Sequence, residues 1–475
     1  MSYIRTLRRL TTRTVAGSGG RSGKYCRTLI GASLWFLCVS VATGQDDHTP
    51  AIHAGVMGGR FLTLTTVVRV NQIEVSRDRN EGEDESAIHT LANAQSFRKA
   101  IADGWPGAKI TWAFSWQALF SRAENYVRIR AYAKECHERY GDDVTFIPGG
   151  YFANAYNTRA QVNKDLHEAL ARVTEFMGNG FRPRSVVAGF LSAANLQYLA
   201  EAEDIHVCQG NIWSQYAIDN QDGDGSLCYP YYPSKEHFCK PARSKDDLID
   251  CVNLDGWTCD FLAARREGFK EGFNSRMGVG PIETIGNLGP EAGLRQMNAT
   301  TAVHFDQGFA MNGFAWVTNC WEQCLVTQIG HLASLTAWLT AIRTRWPDAR
   351  CITQGEFGLL WRATYRNNDS LNYRFVQRGT GIGGSDKDKE IRWYMNRDFR
   401  FALLKDLTSG TEQVIDLTRY DIPASEPRDM TRRWSLMGEL NQKQTRPQDA
   451  PRPFHDLSGG DRSRVEARYP EFKNK

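Results

Sequence analysis

Residues 186–260 read VVAGFLSAANLQYLAEAEDIHVCQGNIWSQYAIDNQDGDGSLCYPYYPSKEHFCKPARSKDDLIDCVNLDGWTCD, and the fold turns on them. Residues 186–190 are an unbroken apolar run, as a strand buried on both faces requires. Residues 195–203 read as a helix, and residues 205–208 return to a short strand. A long loop then concentrates Trp213, Gln215, Tyr216, Asp219, Asp222 and Asp224. A third strand at 251–254 ends in Asp255-Gly256-Trp257. Strand, helix, strand and a polar, aromatic loop predict a parallel α/β protein with its site at the carboxyl ends of the strands.

The alternation extends both ways. Residues 60–75 are dense in β-branched side chains and read as the first strand. Strands follow at 108–114 and 144–147, with helices at 89–104, 124–140 and 158–177, the last capped by Thr158. Beyond 260, helices at 261–271, 294–308 and 329–346 alternate with strands at 313–318 and 350–353, and residues 277–283 read as irregular and glycine-rich. Seven or eight strand–helix units predict a (β/α) barrel over residues 59–365. Short β-like runs at 372–376, 391–395, 399–404 and 413–417 predict a small C-terminal β-rich domain, 366–441. The Pro-, Arg- and Asp-rich end, 442–475, is expected to be disordered.

A chain of 475 residues is long enough for one large domain and a smaller one. Its net charge of +4 comes from the start: residues 1–27 carry seven basic groups and no acid, so nothing points to nucleic acid. Residues 29–42 (LIGASLWFLCVSVA) are too short to span a bilayer comfortably and suit the core of a signal peptide. Ala42 and Gly44 fit a cut before Gln45. The expectation is a signal peptide at 1–44, a linker at 45–58, and a secreted or periplasmic protein with no stable membrane insertion after signal removal. Cys228 and Cys239 flank an irregular loop and are the expected disulfide, while the absence of C-x-x-C argues against structural zinc.

Carboxylates at the expected strand ends are Glu74, Asp255, Asp260, Glu322 and Glu356. Two opposed carboxylates are the minimum equipment for cleaving a glycosidic bond. Glu322 follows a buried-looking strand and Glu356 sits among glycines in QGEFG, so these two lead, with Asp255 and Asp260 in reserve. Trp116, Tyr151, Trp213, Trp257 and Trp321 fall at the same ends and, with Asn154 and Gln215, predict a platform for sugar rings. Residues 219–225 (DNQDGDG) resemble part of a calcium loop, but Pro230 stands where its distal carboxylate belongs. His304 and Asp306 form a His–carboxylate pair on a helix. No nucleophile elbow or Walker-type phosphate loop occurs. The glycine-rich residues 379–384 (GTGIGG) lie after the barrel and open no helix, which makes them a weak phosphate candidate rather than a dinucleotide fingerprint.

The blocks TWAFSWQAL, FIPGGYFANAYNTR, VCQGNIWSQYAIDNQDGDG, CVNLDGWTCDFLAARR, SRMGVGPIETIG, GFAWVTNCWE and QGEFGLLWR resemble a family of exported bacterial proteins of unknown function. That family is similar to the glycoside hydrolase/deacetylase (β/α) barrels. Within them, residues 146–151 lie where polysaccharide deacetylases carry a histidine motif. The H-x-x-x-H metal pair is absent, and Asn71, Gln72 and Glu74 replace the paired aspartates after strand one. The resemblance thus implies an exported carbohydrate-active hydrolase acting on a carbohydrate substrate. A glycosidase without resident cofactor is expected ahead of a metal-dependent deacetylase, in which Glu74, His304 or the 219–225 loop would hold a divalent metal. A glycan-binding barrel without catalysis is the third reading.

Overall fold

The strand β1 (Gly59–Val68) is buried from Phe61 onward, which accounts for its β-branched composition. Parallel neighbours flank it. β2 (Thr111–Ser115) aligns Thr111 with Thr65 and passes the ladder to β3 (Asp143–Ile147). On the other side β7 (Phe314–Cys320) runs from Phe314 opposite Gly59 to Cys320 opposite Thr65. A two-residue strand, β8 (Arg350–Cys351), joins β1 at Phe61 and Leu62, near its N-terminal end. The computed structural model describes residues 57–72, 74, 82–148, 153–188, 191–209, 225–227, 229–256, 258–263, 277–431, 434, 436, 440 and 451–475.

The central stretch forms a second parallel sheet, β4 (Val186–Val187), β5 (Val207–Gln209) and β6 (Val252–Asn253), in that order. Among the described residues the parallel strands fall into two sheets, which share no backbone ladder and do not complete a closed ring. Thr145 Oγ1 donates to Ser185 O (2.5 Å) between β3 and β4. Thr318 N donates to Thr258 Oγ1 (3.1 Å) between β7 and the segment after β6. Strands of two residues are too short to carry a ladder on both edges, and side-chain bonds take over at those seams.

Helices cover this α/β layer, and their starts obey capping rules. Thr158 accepts from Gln161 N, as predicted, and Thr90 and Ser192 act in the same way. The antiparallel sheet is β9 (Tyr373–Arg378), β10 (Lys389–Met395), β11 (Phe399–Asp406) and β12 (Glu412–Arg419), ordered 12-11-10-9. It is tied to the α/β part by Arg400 donating to Ser226 O and Tyr373 to Pro230 O, both at 2.8 Å.

Residues 451–475 of the C-terminal tail are folded, against expectation. Helix Gly459–Arg468 is capped by Ser458, and Phe454, Leu457, Val465, Tyr469 and Phe472 bury themselves against Phe399, Phe401, Leu403, Val414 and Leu417. Those five apolar residues lie too far apart in sequence to stand out from the surrounding Pro, Arg and Asp. No helix among the described residues is long and apolar enough to cross a membrane. The signal peptide at 1–44 and residues 442–450 lie outside the described residues.

Candidate functional site

A cleft opens where β5, β6 and β7 end. Gln209 closes β5, Gly256, Thr258 and Cys259 follow β6, and Thr318, Asn319 and Cys320 end β7. Glu322 stands just beyond β7, and residues 279–283 form the facing wall. That wall is the start of helix Pro281–Ala302, with Pro281 in its first turn and Glu283 behind it. Two carboxylates, Glu322 and Glu283, therefore line one cleft, and both are buried. The close approach that shapes its floor depends on Gly256, where a Cβ would run into Thr318 Cγ2. Gly256→Ala should destabilise the fold by about 1–3 kcal/mol through overpacking, read as a lower urea midpoint.

Glu322 is held from behind. Arg69, just past β1, contacts Glu322 Oε2 through Nη2 at 2.7 Å and grips Glu85 bidentately at 2.7 and 2.8 Å. Cys324 Sγ donates to Glu322 Oε2 at 3.5 Å. Burial alone would raise the pKa of Glu85, but hydrogen bonds from His89 and Arg69, and their charge, bring it down to about 2. A carboxylate lowered in the fold contributes stability that is present above its ordinary value near 4.5 and disappears toward pH 2. Glu85→Gln should therefore cost on the order of 2 kcal/mol at pH 7, allowing for solvent screening, and nothing near pH 2. Chemical unfolding at both pH values checks it.

Beside this group, Glu74 shares a small pocket with Arg69, Asn71, Gln72 and Ser115. Its carboxylate accepts from Val70 N (3.0 Å), Gln117 N (3.2 Å) and the Ser115 hydroxyl. Burial raises its pKa in spite of those donors.

The expected pair Glu322 and Glu356 is not assembled. Glu356 belongs to a capping box with Thr353 at the start of helix Gln354–Thr364, and Lys109 Nζ contacts it at 2.6 Å. Lys109 precedes β2 and Arg184, 4.0 Å away, precedes β4, so Glu356 lies at the opposite ends of the strands from Glu322. The nearby glycines admit protein rather than ligand: a Cβ on Gly358 would strike Val207. Asp260 caps the turn after it, accepting from Leu262 N and Ala263 N at 3.0 Å, and binds Gln296 Nε2 at 2.5 Å. Asp255 is buried at the end of β6, where Ser226 Oγ donates to it.

Of the expected sugar platform, Trp321 is fully buried and packs edge-on to His331. Trp116 is half-buried and stacked on Phe120 at 4.1 Å. Asn154 is buried, donating to Asn195 Oδ1 (2.7 Å) and accepting from Ser192 N (2.8 Å). Tyr151, Trp213, Gln215, Trp257, Cys228 and the 219–225 loop, apart from Gly225, lie outside the described residues. His304 is buried against Tyr229, 3.1 Å from its hydroxyl, and so leaves the metal reading. Among the described residues no three His, Cys, Asp or Glu side chains are placed to hold a metal ion. Glu283 was legible only as part of a glycine-rich irregular stretch, although proline followed by an acid in a first turn is a helix-start signal.

Residues 54–395 match a family described as a domain of unknown function with a solved structure, DUF3863. The chain belongs to the DUF3863 family. Residues 400–472 match a second family described in the same words, DUF3864. A crystal structure from Parabacteroides distasonis, described as a candidate glycoside hydrolase/deacetylase, is 45% identical with a TM-score of 0.83. The match spans 88% of this chain and 100% of that one. A candidate polysaccharide deacetylase from Mycobacterium smegmatis is 11% identical, with a TM-score of 0.40 over 65% of this chain and 91% of its own. That likeness is too loose to bear on the site. No curated protein matches the chain.

Proposed function

We propose that this DUF3863 protein is a carbohydrate-active hydrolase that cleaves glycosidic bonds in the cleft at the ends of β5–β7. The observation that carries the reading is the placing of Glu322 and Glu283 along one cleft, with Arg69 behind Glu322. One carboxyl group would protonate the leaving oxygen, and the other would attack the sugar or activate water. The likeness to the Parabacteroides distasonis structure supports the substrate class. The opening 44 residues, basic and then apolar, support export.

Removal of an acyl group is the second reading, favoured by Glu74. Its burial raises the carboxyl pKa, as a general acid near neutral pH requires. Both are tested on the full chain, with p-nitrophenyl glycosides for bond cleavage and N-acetylated chitooligosaccharides for acetate release. Glycoside cleavage lost in Glu322→Gln and in Glu283→Gln supports the first reading. Acetate release lost only in Glu74→Gln replaces it with the second.

A further inference from the structure

Asn319, near the end of β7, lines the cleft and is almost wholly buried. Its amide nitrogen donates to Val279 O, on the facing wall. A carbonyl oxygen can only accept, so this bond fixes which way round the amide sits. Oδ1 is thereby turned the other way, and among the described residues it has no hydrogen-bond partner. Buried acceptors are nearly always paired, and one left unpaired carries a free-energy penalty. Unpaired acceptors in the strand interior, such as Thr65 Oγ1, do not line this cleft; Asn319 does.

The rest of the cleft suits a ring with polar edges and an apolar face. Val279, Pro281 and Ile282 give one wall its apolar surface, while Gln209, Thr318 and Glu322 give polar groups. Ile282 is 39% exposed at the rim, so a ligand can enter past it. Oδ1 is screened from solvent, so contact with a ligand requires the Asn319 side chain to turn on binding, as interface side chains do.

We infer that Asn319 Oδ1 accepts a hydrogen bond from one hydroxyl, or the N-acyl N–H, of the sugar bound in this cleft, making Asn319 a specificity-determining residue. The inference rests on the carbohydrate reading above but not on the catalytic roles given to Glu322 and Glu283. A sugar lacking that donor leaves Oδ1 unpaired and is discriminated against.

The test titrates the full chain with D-glucose, D-mannose, D-galactose and N-acetyl-D-glucosamine by ligand-observed NMR. The sugar that binds is then compared with its monodeoxy analogues and, for the N-acetyl sugar, its O-acetyl counterpart. One analogue should bind roughly 10- to 100-fold more weakly to the wild type. Asn319→Leu should weaken the parent sugar by the same factor and no longer distinguish it from that analogue. Unchanged binding of the parent sugar by Asn319→Leu overturns the inference and leaves the carbohydrate reading standing. If that variant does not fold, a wild-type crystal soaked with the sugar decides, and a donor placed away from Asn319 overturns it. Binding of none of the four sugars removes the inference and the carbohydrate reading together. Asn319-dependent binding without hydrolysis removes only the catalytic roles.

Discussion

Replacing Glu322 by Gln should lower hydrolysis of p-nitrophenyl glycosides by roughly 10²- to 10⁴-fold while leaving the protein folded. The size of the loss follows from the charge. Gln has the same shape and keeps an oxygen toward Arg69, but it can neither give nor take a proton at the reacting bond. The fold survives because Arg69 keeps its bidentate grip on Glu85 at 2.7 and 2.8 Å. Glu356→Gln is the control. Its oxygen can still accept from Thr353 N, so the capping box survives and only the ion pair with Lys109 goes. At most about 1 kcal/mol of stability should be lost, and turnover per folded molecule should not change. Equal loss of activity in both variants, or none in Glu322→Gln, would remove Glu322 from the chemistry.

The contrast between those two glutamates shows what was legible in the sequence. Both follow short strands, and both sit beside glycine or an aromatic ring. Strand periodicity locates β7 and β8 correctly but does not say where along β1 each pairs. β8 meets Phe61 and Leu62, whereas the end of β7 reaches Thr65. That offset, with helix Gln354–Thr364 starting at once after β8, separates Glu356 from the mouth. Register between distant strands comes from packing across hundreds of residues, and no local pattern records it. The same limit explains Trp321, whose neighbours in sequence are polar but whose ring faces the interior. The two-residue β4 and β6 were readable as strands, though not as the seams at which the parallel sheet divides. Glu283 was missed for a different reason. Glycine on both sides of Val279 masks a helix start that Pro281 and Glu283 announce.

Arg98→Met should be the most destabilising single change at the other end of the α/β layer, by about 3–5 kcal/mol. Arg98 lies in helix Leu91–Gly104 and Asp142 immediately before β3, and neither side chain is more than 1% exposed. The guanidinium meets the carboxylate at 2.7 and 3.0 Å, donates to Ala108 O at 2.8 Å and stacks over Tyr140 at 3.9 Å. Asp142 also accepts from Ile110 N (3.1 Å) and Trp112 Nε1 (3.0 Å). One pair thus pins a helix to the approaches of β2 and β3. Removing the cation strands a carboxylate in a dry interior, where the remaining donors offset only part of its lost solvation. Most of the penalty therefore belongs to the orphaned charge rather than to the bond. Arg98→Met/Asp142→Asn, which removes both charges and keeps an acceptor for one of the two donors, Ile110 N and Trp112 Nε1, should recover part of the loss. Urea unfolding followed by tryptophan fluorescence compares the two. A double variant no more stable than Arg98→Met alone would mean that the arginine acts through its packing on Tyr140, not through its charge.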